Sequence, residues 1–293
     1  MIRQLVVISG KGGTGKTTVA AALAQLLGPL VLADCDVEAP NLGILFPGKT
    51  QRSFEIEVSR RAHIDPESCD ACGLCAERCR FDAVLPGTPY RVDRLSCEGC
   101  GVCGLVCPSE AVSFRSETGA VITESITPHG PLLEGRLAVG EEASGKVVTR
   151  VRMEAQALAT QHGLGLVLVD GSPGTGCPVI ASLTGCDLAL VVTEPTLSAL
   201  HDLKRVLQVV SHFGIPAVAC LNKADLNEDM GGKVKGYCKE AGVCIGAKIP
   251  FRPEVVEALR QARPPLGNVP PEVEKPLRGL AAALRERLDY NGG

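Results

Sequence analysis

The chain has 293 residues, 45% of them apolar, and a formal net charge of -3, which allows a sizeable buried core in one large domain with something smaller attached. It carries no basic run of the kind nucleic-acid binders use, so direct binding of DNA or RNA is not expected. The first thirty residues hold an apolar run of only about five, too short for a signal peptide or a spanning helix, and this points to a cytoplasmic protein whose fourteen cysteines bind metal rather than form disulfides.

Leu5 to Ile8 reads as a buried parallel strand, and S-G-K-G-G-T-G-K-T-T follows at residues 9 to 18. Gly10 to Thr17 completes the phosphate-loop pattern G-x-x-x-x-G-K-[ST], and Thr17 to Leu27 continues with helical spacing of apolar residues. The candidate nucleotide set is Gly10, Gly12, Gly13, Thr14, Gly15, Lys16, Thr17 and Thr18. The glycines let backbone N–H groups converge on phosphate oxygens, Lys16 pairs with the β- and γ-phosphates, and the Thr17 hydroxyl ligates Mg²⁺. Lys11 is one lysine more than this pattern needs. Leu30 to Ala33 is a second strand, ending at Asp34.

Eight cysteines then fall within thirty-nine residues as C-x2-C-x2-C-x3-C, twice: Cys69, Cys72, Cys75, Cys79 and Cys97, Cys100, Cys103, Cys107. At an offset of 28, Ile64 pairs with Val92, Asp65 with Asp93, Ser68 with Ser96, Gly73 with Gly101, Ala83 with Ala111 and Val84 with Val112, so the segment is an internal duplication. Gly73 and Gly101 permit the tight turns that wrap closely spaced thiolates round a cubane cluster. Two structural zinc sites are the alternative, although zinc more often uses paired C-x2-C knuckles.

Further apolar runs end in polar residues at Gly165 to Val169 before Asp170, Leu188 to Val192 before Thr193-Glu194, and Ala217 to Leu221 before Asn222, where a parallel sheet presents its ligand edge. Helices are expected at Gly145 to Gln161, Ser198 to Phe213, Gly231 to Ala241, Glu254 to Gln261 and Glu272 to Leu288. The fold class is α/β, a doubly wound, mostly parallel sheet of the P-loop NTPase type, with a small α+β domain inserted after the second strand. The expected ATPase domain is 1–60 with 118–293, and the inserted domain 61–117. The remaining cysteines show no ligand spacing, and Cys186, Cys220, Cys238 and Cys244 are expected to be small buried hydrophobes; Cys35 and Cys177 flank the two aspartate segments described next. In the C-terminal stretch Leu277, Leu280, Ala281, Leu284 and Leu288 share one face, which suits packing on the core better than binding a membrane.

Residues 61 to 117 resemble the bacterial two-[4Fe-4S] ferredoxin domain, with Cys107-Pro108 closing the second run as in that family and Cys79-Arg80 departing from it in the first. The resemblance implies crossed ligation, Cys69, Cys72, Cys75 and Cys107 holding one cluster and Cys97, Cys100, Cys103 and Cys79 the other. K-G-G-T-G-K-T-T is similar to the deviant Walker A motif of the MinD/ParA/Mrp class of P-loop ATPases. That resemblance implies ATP and Mg²⁺ as ligands and a homodimer formed on ATP binding, in which Lys11 reaches the phosphates of the opposite subunit. It further implies that Asp36 orients the attacking water, that Asp170 holds Mg²⁺ through water, and that Gly174 senses the γ-phosphate. Asn222 would read adenine in a pocket lined by Ile249-Pro250-Phe251, while Asn222-Lys223-Ala224-Asp225 also matches the N-K-x-D of GTPases and leaves GTP open. Mrp-type cluster carriers bear a late C-x-x-C that this chain lacks. The expected function is an ATPase whose nucleotide cycle gates electron transfer, or iron–sulfur and metallocofactor handling, for a protein partner. The alternatives are a partition or division ATPase that recruits partners, with structural or sensing clusters, and a relative of cobyrinic acid diamide synthase.

Overall fold

A computed structural model describes residues 1–141 and 144–289. The chain runs β1 (Arg3–Ser9), α1 (Lys16–Leu27), β2 (Val31–Asp34), α2 (Leu42–Leu45), β3 (Lys49–Ile64), α3 (Leu74–Glu77), β4 (Val84–Leu85), β5 (Arg91–Val92), α4 (Val102–Leu105), β6 (Val112–Thr127) and β7 (Gly130–Leu137). It continues through α5 (Ser144–His162), β8 (Leu166–Pro173), α6 (Cys177–Leu183), β9 (Leu188–Thr193), α7 (Leu197–His212), β10 (Ala217–Leu221), α8 (Glu228–Glu240), β11 (Cys244–Lys248), α9 (Pro253–Arg260) and α10 (Pro271–Leu288).

Nine strands form one sheet in the order β11-β10-β9-β1-β8-β2-β7-β6-β3. The pairings from β11 through to β7 are all parallel. Leu5 to Ile8 of β1 are fully buried, as a strand covered by helices on both faces requires. The alanines Ala20, Ala21, Ala22 and Ala24 of α1 are all buried, and their small side chains suit close packing of that helix in the core. On α10, Leu277, Leu280, Ala281, Leu284 and Leu288 lie in the main core, so the apolar face of the last helix is used inside the fold. No helix among the described residues is long and apolar enough to cross a membrane.

The chain divides into two compact units, Met1–Phe54 with Ile122–Arg136 and Ser144–Gly293, and Glu55–Val121 with Leu137–Ala143. The second unit is wider than the expected insertion. Its borders fall inside β3 and β6, two strands of sixteen residues each, because the strands enter and leave the unit without a break. The chain also adds β7, joined to β6 by a two-residue hairpin turn, on the far side of β2.

Within the second unit the two copies interlock. The Asp65 N–H donates to the Ala111 carbonyl at 2.8 Å and the Asp93 N–H to the Ala83 carbonyl at 2.7 Å. Since Asp65 matches Asp93 and Ala83 matches Ala111 in the duplication, each copy bonds to the other's partner. Gly73 and Gly101, at φ 82° and 92°, open the short helices α3 and α4, a conformation that side-chain-bearing residues rarely adopt. Ile64, Cys75 and Val84 form a small buried core, with Cys69, Cys79, Tyr90, Val92, Cys103 and Val112 packed against it.

Candidate functional site

The phosphate loop leaves β1 and opens α1, as the pattern demands. Gly15 sits at φ 90°, and a Cβ there would lie 2.2 Å from Asn222 Nδ2, so both conformation and contact require glycine. The Asn222 amide donates to the Thr14 carbonyl at 2.8 Å, fastening the loop to the end of β10.

Lys16 is buried and donates from Nζ to Asp170 Oδ1 at 2.7 Å, with Asp36 Oδ2 at 3.4 Å. Burial pulls the Lys16 pKa down, but the neighbouring Asp170 and Asp36 outweigh it and the ammonium is held above its usual value. Asp170 is fully buried and its Oδ2 has no hydrogen-bond partner. A buried carboxylate oxygen is costly to leave unpaired, and such an oxygen on the aspartate that meets the loop lysine suits a hydrated Mg²⁺. Thr17 and Asp170 are the residues that could hold the ion. Burial raises the Asp36 pKa, against the pull of Lys16.

Asp34, whose sequence role went no further than the end of a strand, is the fixed point of the segment that follows it. Its Oδ2 accepts from the Asn41 and Leu42 N–H groups at 2.8 and 2.9 Å, and its Oδ1 from the Asp36 N–H at 3.1 Å. Burial, and then Asp170, push its carboxyl up to about 8. Glu134 of β7 lies in register with Asp34 and accepts from the Gly43 N–H at 3.3 Å. Two side chains from the sheet thereby hold the first turn of α2. Gly174 follows the end of β8, where its N–H donates to the Ser9 carbonyl at 2.8 Å.

Lys11 is folded back on its own chain. Its Nζ lies 2.8 Å from Glu194 Oε1 and donates to Ser198 Oγ at 3.1 Å. Lys223 pairs with the other oxygen of Glu194 at 2.8 Å and donates to the Gly13 carbonyl at 2.9 Å. Burial would raise the Glu194 pKa, but the two lysines hold it below the usual carboxylate range. Glu194 follows directly on β9, and its place at the end of an apolar run was the signal available for it.

A cavity of about 210 Å³ opens beside the loop, lined by Gly13, Thr18, Asn222, Pro250, Phe251 and Val255 among others. Asp225, the last residue of N-K-A-D, is engaged: its Oδ1 accepts the Phe251 N–H at 2.6 Å and its Oδ2 accepts from Arg252 at 2.8 Å.

Seven of the eight clustered cysteines fall into two groups. One cavity is lined by Cys79, Cys97, Cys100 and Cys103 with Phe81, Val84 and Phe114. The other group draws Cys69 and Cys107 close enough to Cys75 to influence its ionisation, after the larger effect of burial. In the first group three thiols come from the second copy of the duplication and one from the first; in the second, Cys69 and Cys75 come from the first copy and Cys107 from the second. The Ala83 N–H donates to Cys79 Sγ at 3.4 Å, and Ser109 lies 3.5 Å from Cys107 Sγ. Among the described residues no three His, Cys, Asp or Glu side chains converge closely enough to hold a single metal ion. The suitability of this unit for a multinuclear group rests on its donor set and its cavity. Cys186, Cys220 and Cys238 are buried thiols pushed up to about 11, 12 and 11 respectively, whereas Cys244, expected to be buried, is exposed because it starts β11, and its sulfur accepts from Arg287. Cys35 is buried and protonated, its pKa raised well above the usual thiol value by burial, and Cys177 is exposed at the start of α6.

A glycine-rich loop between a central strand and a helix, with its lysine seated between Asp170 of β8 and Asp36 just beyond β2, is the arrangement of a P-loop nucleotide-binding protein. Residues 5–266 match the family described as the CobQ/CobB/MinD/ParA nucleotide binding domain, and the chain belongs to that family. An uncharacterized protein of Methanocaldococcus jannaschii is 34% identical over 78% of this chain and 80% of its own length. An iron-sulfur cluster carrier protein of Aquifex aeolicus is 27% identical, covering 97% of this chain and 68% of its own. The crystal structure of the Pyrococcus furiosus cell division ATPase MinD superposes with a TM-score of 0.58 at 20% identity, over 98% of this chain and 99% of that one.

Proposed function

We propose that the chain binds and hydrolyses ATP with Mg²⁺, carries two [4Fe-4S] clusters in its second unit, and uses ATP-dependent dimerisation to gate electron transfer or metallocofactor handling for a protein partner. The observation that carries the cluster assignment is the cavity in which Cys79 of the first run joins Cys97, Cys100 and Cys103 of the second. The clusters would supply one-electron chemistry. The protein would hold each through three thiolates of one copy and one of the other, Cys69, Cys72, Cys75 and Cys107 in one case and Cys97, Cys100, Cys103 and Cys79 in the other. The cluster carrier resemblance supports this reading, and the likeness to MinD supports a second, in which ATP-driven recruitment is the function and the clusters are structural.

For the nucleotide, Lys16 would exchange its carboxylate partners for the β- and γ-phosphates, freeing Asp36 to orient water and Asp170 to face Mg²⁺. Asn222 and Pro250 would contact the base. With both Asp225 oxygens taken by Phe251 and Arg252, the carboxylate that N-K-x-D offers to guanine is committed elsewhere, which supports adenine. Lys11 would leave Glu194 and reach the opposite subunit.

Anaerobically purified protein should contain roughly eight iron and eight acid-labile sulfide per chain, as two cubanes require. Stoichiometric zinc without sulfide would reject the assignment. If ATP gates redox chemistry, an ATP analogue that dimerises the protein should shift the cluster potential by ~40–130 mV, the one-electron equivalent of a coupling of ~1–3 kcal/mol. A potential equal in the nucleotide-free, ADP and ATP-analogue states would leave the recruitment reading.

A further inference from the structure

The second unit contains a cleft of about 810 Å³, whose lining includes Arg61, His63, Tyr90, Arg91, Arg94 and Arg115. Its charges do not balance. Arg61 is buried and pairs with Glu117 at 3.2 Å and with Glu141, while Arg94 pairs with Glu117 at 2.7 Å. Two arginines and two glutamates therefore offset one another. Arg91 and Arg115 are exposed, and no ion pair to either is present among the described residues. They leave the mouth of the cleft with an uncompensated positive charge.

The duplication shows that the fold itself does not demand this charge. At the 28-residue offset, Arg91 stands where the first copy has His63, Arg94 where it has Pro66, and Arg115 where it has Gly87. The framework residues Asp65 and Asp93 are kept in both copies and make matching bonds to Ser68 and Ser96 at 2.6 and 2.7 Å. Apart from the paired Arg61, the arginines of the cleft stand at second-copy positions where the first copy has none.

The cleft also backs on to the cysteines, because Ile64, Tyr90 and Val92 line it and belong to the small core that holds Cys75, Cys69 and Cys79. A site for a small metabolite would aim unpaired buried donors at an enclosed ligand. Here the buried Arg61 is ion-paired with Glu117 and Glu141, leaving its Nε as the single buried donor without a hydrogen bond among those lining the cleft, and the free arginines are exposed, on β5 and β6. Rim charges of this kind steer and orient a protein partner. We infer that this cleft docks the acidic face of a partner protein, with the partner's carboxylates against Arg91 and Arg115. The inference goes beyond the proposed ATPase and holds whether or not the clusters are redox-active.

The test uses the full-length, anaerobically purified chain and a fluorescein-labelled peptide of alternating Asp and Gly, read by anisotropy. Binding should saturate, weaken as salt rises to about 0.15 M, and fall about tenfold or more in the Arg91→Glu/Arg115→Glu protein. The Arg91→Gln/Arg115→Gln protein should lie between, and a control double reversal on α8, Lys233→Glu/Lys239→Glu, should bind as the parent does. Far-ultraviolet circular dichroism and melting checks that each variant is folded. Absence of binding, equal loss in the α8 control, or citrate displacing the peptide at the same concentration would overturn the inference, the last by making the cleft a small-anion site.

Discussion

Replacing Lys16 by methionine removes a cation shared by Asp170 and Asp36, and the consequence can be measured before any nucleotide is added. Lys16 Nζ is 2.7 Å from Asp170 and 3.4 Å from Asp36, and its own side chain is 6% exposed. Methionine fills a similar volume, so the cavity cost is small and the electrical cost dominates. Removing one partner of a buried ion pair typically costs ~3–5 kcal/mol, because the remaining charge is stranded. Asp36, only partly buried and with its pKa raised by burial, limits that cost, so about 3 kcal/mol is expected near neutral pH. For a chain of this size that corresponds to a fall of about 6–12 °C in melting temperature. Differential scanning calorimetry in EDTA without nucleotide gives the measurement. The deficit should shrink as pH falls, because Asp36, whose pKa burial already raises, takes up a proton, and Lys16→Met/Asp170→Asn should be less damaged than Lys16→Met alone. A single variant that melts at or above the parent temperature across this range would refute the reasoning, since it would mean that the lysine is no net stabiliser of the carboxylates around it.

Lys11→Ala should retain ATP binding but lose hydrolysis by about 10²–10³-fold, as loss of one transition-state donor does, whereas Lys16→Ala should lose binding itself; equal losses of affinity in the two would contradict the division between them. Asp34 has a folded-state pKa of about 8, above the ordinary carboxylate value, so the stability it contributes is fully present below about pH 4 and is lost as pH rises toward 8. Denaturant titrations of the nucleotide-free protein should show a decline over that window that is absent in Asp34→Asn, and the same slope in both proteins would place the titration elsewhere.

The nucleotide half of the molecule was legible because its signals are local. Leu5 to Ile8, the glycine loop and the helix after it form one continuous stretch, and β1 and α1 differ from the expected bounds by a residue or two. Asp34 and Glu194 were harder to interpret. Asp34 works by collecting three N–H groups up to eight residues away, and Glu194 by joining lysines 183 and 29 residues distant, distances that no periodicity reports. The edge strand β3 escaped because half of its residues are exposed, and β6 and β7 beside it because charged residues interrupt their apolar patterns. Helix α8 starts three residues earlier than expected because Asn227 caps it, accepting from the Met230 N–H at 2.9 Å. In the cysteine segment the spacing gave the donors, while the exchange of bonds between Asp65, Ala111, Asp93 and Ala83 could only be seen in three dimensions.

The strand order also sets a timetable for synthesis. Strands β1 and β2 are not neighbours: β1 lies between β9 and β8, and β2 between β8 and β7. The phosphate loop and the Asp34 segment therefore leave the ribosome long before the strand that joins them, which ends at Pro173. The cysteines need no such wait, for the last of the eight is Cys107 and both copies of the duplication are contiguous. At ~5–20 residues per second the 66 residues from Cys107 to Pro173 take about 3–13 s. During that interval a nascent chain displays all eight thiols and no finished nucleotide site, so any group those thiols hold would be delivered before nucleotide can bind.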